Sequence, residues 1–151
     1  MSQGLITLLT DFGLNDEFVG VMKGVIAGLA NGVKVIDICH NIPPQDIYGA
    51  AYMLEAAYPY FPNNSVQVCV VDPGVGSSRK ILGACVNGHN FIAPDNGILT
   101  FLYEQPDARF YDLVYETPPY ATFHGRDVMA VLAARLVTGT PFYELGKPVD
   151  I

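Results

Sequence analysis

Asp72-Pro-Gly-Val-Gly-Ser-Ser-Arg79 places a carboxylate, two glycines and a guanidinium directly after Val66–Val71, a run rich in β-branched apolar residues. A carboxylate can orient water or accept its proton, and a guanidinium can stabilise a developing anion. The glycines let backbone approach a ligand where a side chain would collide. Two other strand-like runs end the same way. Leu5–Leu9 leads into Thr10-Asp11-Phe12-Gly13, and His89–Ala93 leads into Pro94-Asp95-Asn96-Gly97. In open α/β sheets ligands bind beyond the carboxyl ends of strands, so Asp11, Asp72 and Asp95 are expected on one binding edge.

Each of these residues also has a plainer use. Asp16 and Asp11 can cap the helix that follows them, or hold a pair of ribose hydroxyls. Asp72 and Arg79 can form a loop salt bridge, although a buried ion pair among glycines is a costly way to fasten a loop. His124, within Tyr120-Ala-Thr-Phe-His-Gly-Arg-Asp127, precedes a helix and gains interest mainly from its neighbours. Asp11, Asp72, Asp95 and His124 offer ligands for a divalent metal, but their spacing matches no metal signature, and no metal is expected. Gly74-Val-Gly-Ser-Ser-Arg79 has Arg where the dinucleotide fingerprint needs its third glycine, no phosphate-loop Gly-Lys-Ser/Thr follows it, and no serine nucleophile elbow is evident.

The elements that would position these groups alternate. Val33–Cys39, Val66–Val71, Ile81–Val86, His89–Ala93 and Phe110–Tyr115 read as strands beside Leu5–Leu9. Asp16–Ala30 has apolar residues at Phe18, Val21, Met22, Val25, Ile26 and Leu29, which is helical spacing closed by Asn31-Gly32. Ile47–Tyr58 reads as a helix capped by Asp46 and stopped before Pro59, and Arg126–Thr138 as a third. Asn87-Gly88 suits a two-residue hairpin turn. Pro141–Ile151 reads as a connector. The expected fold class is α/β: a three-layer α/β/α sandwich with a mainly parallel central sheet and one antiparallel hairpin.

Composition narrows the partners. The chain has 151 residues, half of them hydrophobic and 15% charged, enough for one domain with a sizeable core. A net charge of −7 with eight Lys plus Arg argues against nucleic acid, whose binding needs clustered basic residues. Apolar stretches are interrupted well before the roughly 18 residues of a membrane span, and no secretory leader is evident, so a soluble cytoplasmic protein is expected. Cys39, Cys69 and Cys85 are odd in number and lie in apolar runs, which fits buried reduced thiols.

Taken together, Thr10-Asp-Phe-Gly13, Phe18-Val-Gly-Val-Met-Lys-Gly24, His40-Asn-Ile-Pro-Pro44, Val71-Asp-Pro-Gly-Val-Gly76 with Arg79, Ala93-Pro-Asp-Asn-Gly97 and Thr122-Phe-His-Gly-Arg-Asp127 resemble the S-adenosylmethionine hydroxide adenosyltransferase family, relatives of the adenosyl-halide synthases. The resemblance is collinear through nearly the whole chain and covers the family's N-terminal catalytic domain, so residues 1–151 are expected to be that domain without its C-terminal partner.

The resemblance implies hydrolysis of S-adenosylmethionine to adenosine and methionine, with Asp72, Arg79 and His124 as the catalytic triad. It implies that Asp11 grips the ribose hydroxyls and Asp16 the methionine amino group, with Asp95 and Asn96 beside the nucleoside. Phe12, Phe123 and Gly125 fall among the substrate-binding positions. No cofactor is implied, only a small-molecule substrate, and the full-length form is expected to be a homotrimer. Since the C-terminal domain of a neighbouring subunit completes the pocket in relatives, this chain alone is expected to bind S-adenosylmethionine weakly or not at all. Two other readings stay open: a divalent-metal nucleotidase using Asp11, Asp72, Asp95 and His124, and a non-catalytic nucleoside-binding module.

Overall fold

A computed structural model describes residues 4–73, 79–115 and 128–151. Seven strands form one sheet in the order β2-β1-β3-β5-β4-β6-β7. They are β1 (Leu5–Thr10), β2 (Lys34–Cys39), β3 (Val66–Val70), β4 (Ile81–Val86), β5 (His89–Pro94), β6 (Arg109–Leu113) and β7 (Gly146–Val149). The helices are α1 (Phe18–Leu29), α2 (Ile47–Ala57), α3 (Ala130–Val137) and the short α4 (Phe142–Leu145).

Strands β2, β1, β3 and β5 are mutually parallel, whereas β4, β6 and β7 continue the sheet antiparallel from β5. The expected hairpin is present between β4 and β5, and Asn87 and Gly88 both adopt positive φ, at 50° and 80°, as a tight primed turn requires.

Parallel strands have helices on both faces and must be apolar on both. Along β3, Val66, Val68 and Val70 enter one core with Met22 and Ile26 of α1 and Leu132 of α3, while Cys69 and the following Val71 enter another with Ala50 and Leu54 of α2. The period-two alternation of a strand therefore yields two cores and three layers, the sandwich expected from the sequence. Each fully buried Leu, such as Leu8 or Leu54, contributes about 1.5–3 kcal/mol by leaving water.

Several boundaries differ from those expected; β6, for one, runs Arg109–Leu113 rather than Phe110–Tyr115. Helix α1 starts at Phe18 rather than Asp16, with Asp16 Oδ1 accepting from the Phe18 N–H at 3.2 Å from outside the helix. Helix α2 stops at Ala57 and tightens into a 3₁₀ turn over Tyr58–Tyr60, since Pro59 has no N–H to continue the α ladder. Pro141–Ile151 is no connector: α4 packs its Phe142 against Gly83, and β7 pairs with β6, Lys147 opposite Asp112. A run as short as Gly-Lys-Pro-Val has no alternation of its own, so only the waiting edge of β6 makes it a strand. The expected helix start at Arg126 lies outside the described residues.

Candidate functional site

The sheet topology delivers the carboxylates to one edge. Strands β1, β3 and β5 are neighbours, parallel and in register, with Thr10 opposite Val70 and Val68 opposite Ile92. Asp11, Asp72 and Asp95 follow their carboxyl ends, the place where an open α/β sheet accepts a ligand.

Asp72 and Arg79 meet. Arg79 Nε donates to Asp72 Oδ1 at 2.8 Å and Nη2 donates to Oδ2, a bidentate pairing. Both side chains are nearly withdrawn from solvent, Arg79 at 10% and Asp72 at 5% exposed. Burial alone would lower the guanidinium's pKa, but the bonds and charge of Asp72, with a smaller contribution from Tyr115, raise it above its ordinary value. A cavity of about 410 Å³ opens beside Arg79 and is lined also by Lys80, Tyr115 and Lys147. Another, of about 420 Å³, lies between Tyr103, Phe110 and Val149 and is lined by none of the residues expected at the site.

Asp11 is half-buried and faces a different neighbour. Its Oδ2 accepts the backbone N–H of Gln45 at 2.8 Å, tying the end of β1 to the loop before α2. Phe12 packs against the α1–α3 core, with its ring 6.0 Å from that of Phe18. Asp16 is exposed. Asn96 has largely internal duties: its Nδ2 donates to Val71 O at 2.9 Å and its Oδ1 accepts from Ile98 N, stitching the end of β5 to that of β3. The backbone N–H of Asp95 donates to Lys80 O at 2.8 Å. His124, Phe123 and Gly125 lie outside the described residues.

One group of residues was not singled out in the sequence. Thr10, at the tip of β1, hydrogen-bonds His40 Nδ1 at 2.7 Å, and His40 Nε2 meets Asp37 Oδ1 at 2.8 Å. Asp37 Oδ2 in turn accepts from Lys23 of α1 at 2.7 Å. Burial would raise the Asp37 pKa, but the bonds from Lys23 and His40 hold it below the usual carboxylate value. The available signal was a histidine directly following a strand-like run, in the same motif as Pro43-Pro44.

Among the described residues no three His, Cys, Asp or Glu side chains gather as metal ligands, and both oxygens of Asp72 face Arg79. Among the same residues no helix is long and apolar enough to cross a membrane.

Comparison with known proteins gives the family and the fold. The family model described as the SAM hydroxide adenosyltransferase N-terminal domain matches residues 6–146. An (R)-S-adenosyl-L-methionine hydrolase from Thermus thermophilus is 42% identical, with 97% of this chain and 62% of that protein covered. A protein of the same name from Methanocaldococcus jannaschii is 44% identical, over 97% of this chain and 59% of its own. A crystal structure of a conserved protein from Thermotoga maritima superposes with a TM-score of 0.89 at 37% identity, covering 95% of this chain and 57% of that one. The chain thus spans about three-fifths of the length of the relatives it matches.

Proposed function

We propose, from the premise that this chain belongs to the SAM hydroxide adenosyltransferase family, that it forms the catalytic part of an enzyme hydrolysing S-adenosylmethionine to adenosine and methionine. The observation that carries the reading is the buried bidentate Asp72–Arg79 pair at the end of β3, flanked by the Asp11 and Asp95 strand ends.

The chemistry suits these groups. A sulfonium leaves as a neutral thioether, so the leaving group needs no acid; the demand is to present water in line with the ribose 5′ carbon and to remove its proton. Arg79 would stabilise the developing hydroxide. In this reading Asp72, which accepts from Arg79 through both oxygens, would aim the guanidinium, and His124 would take the proton. An incipient anion meeting a cation loses charge, so a site drier than water favours the step. Asp11 would hold the ribose diol, Asp16 the methionine amino group, and Asp95 and Asn96 would border the nucleoside with Phe12, Phe123 and Gly125. Retention of Asp72, Arg79 and His124 together favours water over halide as nucleophile. This reading needs no cofactor. It places the protein in the cytoplasm, as a homotrimer whose C-terminal domain closes the pocket.

Incubation with S-adenosylmethionine followed by chromatography tests this, using the chain extended by the C-terminal portion its relatives carry. The expected products are adenosine and methionine in equal amounts, with turnover unaffected by chelator. Absence of adenosine would overturn the reading, and chelator-sensitive phosphate release from nucleotides would favour a metal nucleotidase instead.

A further inference from the structure

A carboxylate, an imidazole and a hydroxyl in hydrogen-bonded sequence is the arrangement that activates a serine nucleophile. Here Asp37, His40 and Thr10 form that sequence, but Thr10 is fully buried and His40 is 4% exposed, so the hydroxyl cannot meet a substrate. It serves the backbone instead: the Phe12 N–H donates to Thr10 Oγ1 at 3.2 Å.

The direction of the chain follows from what each group can do. Asp37, held ionised beside Lys23, only accepts, so His40 Nε2 carries the proton. In the neutral ring Nδ1 is then an acceptor, and the Thr10 hydroxyl donates to it. That leaves a Thr10 oxygen lone pair for Phe12 N–H. Each bond then pairs one donor with one acceptor, and a flipped ring would leave the Thr10 proton without its acceptor.

The same loop is gripped twice more. The His40 carbonyl accepts from Gly13 N at 2.7 Å, and Gln45 N donates to Asp11 Oδ2 at 2.8 Å from a left-handed backbone, φ 65°. Asp11 is therefore bracketed. Thr10 and Phe12 on either side are fixed by His40, and its own carboxylate is aimed by Gln45. From this we infer that Asp37, His40 and Thr10 are positioning residues that hold the turn after β1 so that Asp11 Oδ1 faces the nucleoside; this rests on the proposed ribose role of Asp11. Lys23 anchors the far end of the chain on α1, which packs directly after that turn.

NMR on the chain extended by the C-terminal portion its relatives carry, titrated with adenosine, tests the inference. Thr10→Val keeps the shape of the side chain and removes the hydroxyl. It should weaken adenosine binding about tenfold, the scale of one buried hydrogen bond, while Thr10→Ser stays near wild type. The Phe12 and Gly13 amides should exchange faster in Thr10→Val but not in Thr10→Ser. Ring nitrogen shifts of His40 should report the Nε2–H form. Asp11→Asn separates the two levels of the argument. If Asp11→Asn weakens binding but Thr10→Val does not, the positioning role fails and the ribose site stands. If wild type binds no adenosine, or Asp11→Asn is silent, the ribose site fails and the inference with it.

Discussion

The backbone N–H of Gln45 reaches across 34 residues of sequence to Asp11 Oδ2, from one of only a few non-glycine left-handed conformations among the described residues. A left-handed conformation costs an ordinary residue about 1 kcal/mol or more, and glycine far less. Gln45→Gly should therefore be neutral or stabilising by up to about 1 kcal/mol and keep the Asp11 bond. Gln45→Pro, with no N–H and φ fixed near −65°, should lower the melting temperature and nucleoside affinity together. Thermal melts of the two variants in parallel check both signs.

Arg79→Lys keeps the charge but loses the fork that engages both Asp72 oxygens. Turnover of S-adenosylmethionine should drop by about 10²-fold or more, the scale of losing an aligned donor at a developing anion. His124→Ala should cost about 10²- to 10⁴-fold in the same assay. Near-wild-type rates in both would remove the water-handling role.

Removing Arg79 altogether strands a carboxylate that is 5% exposed. Arg79→Ala should destabilise the fold by about 3–5 kcal/mol, whereas Asp72→Asn/Arg79→Ala should recover part of that loss. Denaturant titration of the single and double variants gives the coupling directly.

Asp37 has a pKa below its ordinary 3.8. A group whose folded pKa is depressed stabilises the fold above its unfolded pKa and loses that contribution as pH falls through the folded value. Wild type should thus lose stability below about pH 3.8 more steeply than Asp37→Asn. Melting curves at pH 6 and pH 3 supply the test, and parallel slopes would contradict it.

Burial pushes the Cys69 thiol far up, with the charge of Asp11 adding to the effect, and Cys85 is raised by burial as well. Since the thiolate is the reactive form, Cys69 should resist alkylation in the native protein and label only on unfolding, with half-buried Cys39 reacting first. Mass spectrometry after brief iodoacetamide treatment distinguishes the three.

The alternation of apolar runs made the layers and six of the strands readable, because two-sided burial writes itself into β1, β3 and β5 as near-continuous hydrophobicity. Asp46 was readable as a cap because its job is local: Oδ1 accepts Gly49 N three residues on. The Asp72–Arg79 contact was suggested by proximity in sequence. What stayed hidden was long-range. Nothing near Thr10 announces that its hydroxyl meets a ring thirty residues later, and nothing in Gly-Lys-Pro-Val announces a strand. The partners of both are set by where the sheet brings distant segments, a property of topology and not of local pattern.

The described sheet closes at β7, whose four residues include Lys147 and Pro148. A proline has no N–H to offer an incoming chain, and a lysine there would have to give up its hydration. This border is therefore poorly suited to recruiting a strand from another molecule. At this border the four-residue strand works as a terminator, while β2 forms the opposite edge of the described sheet.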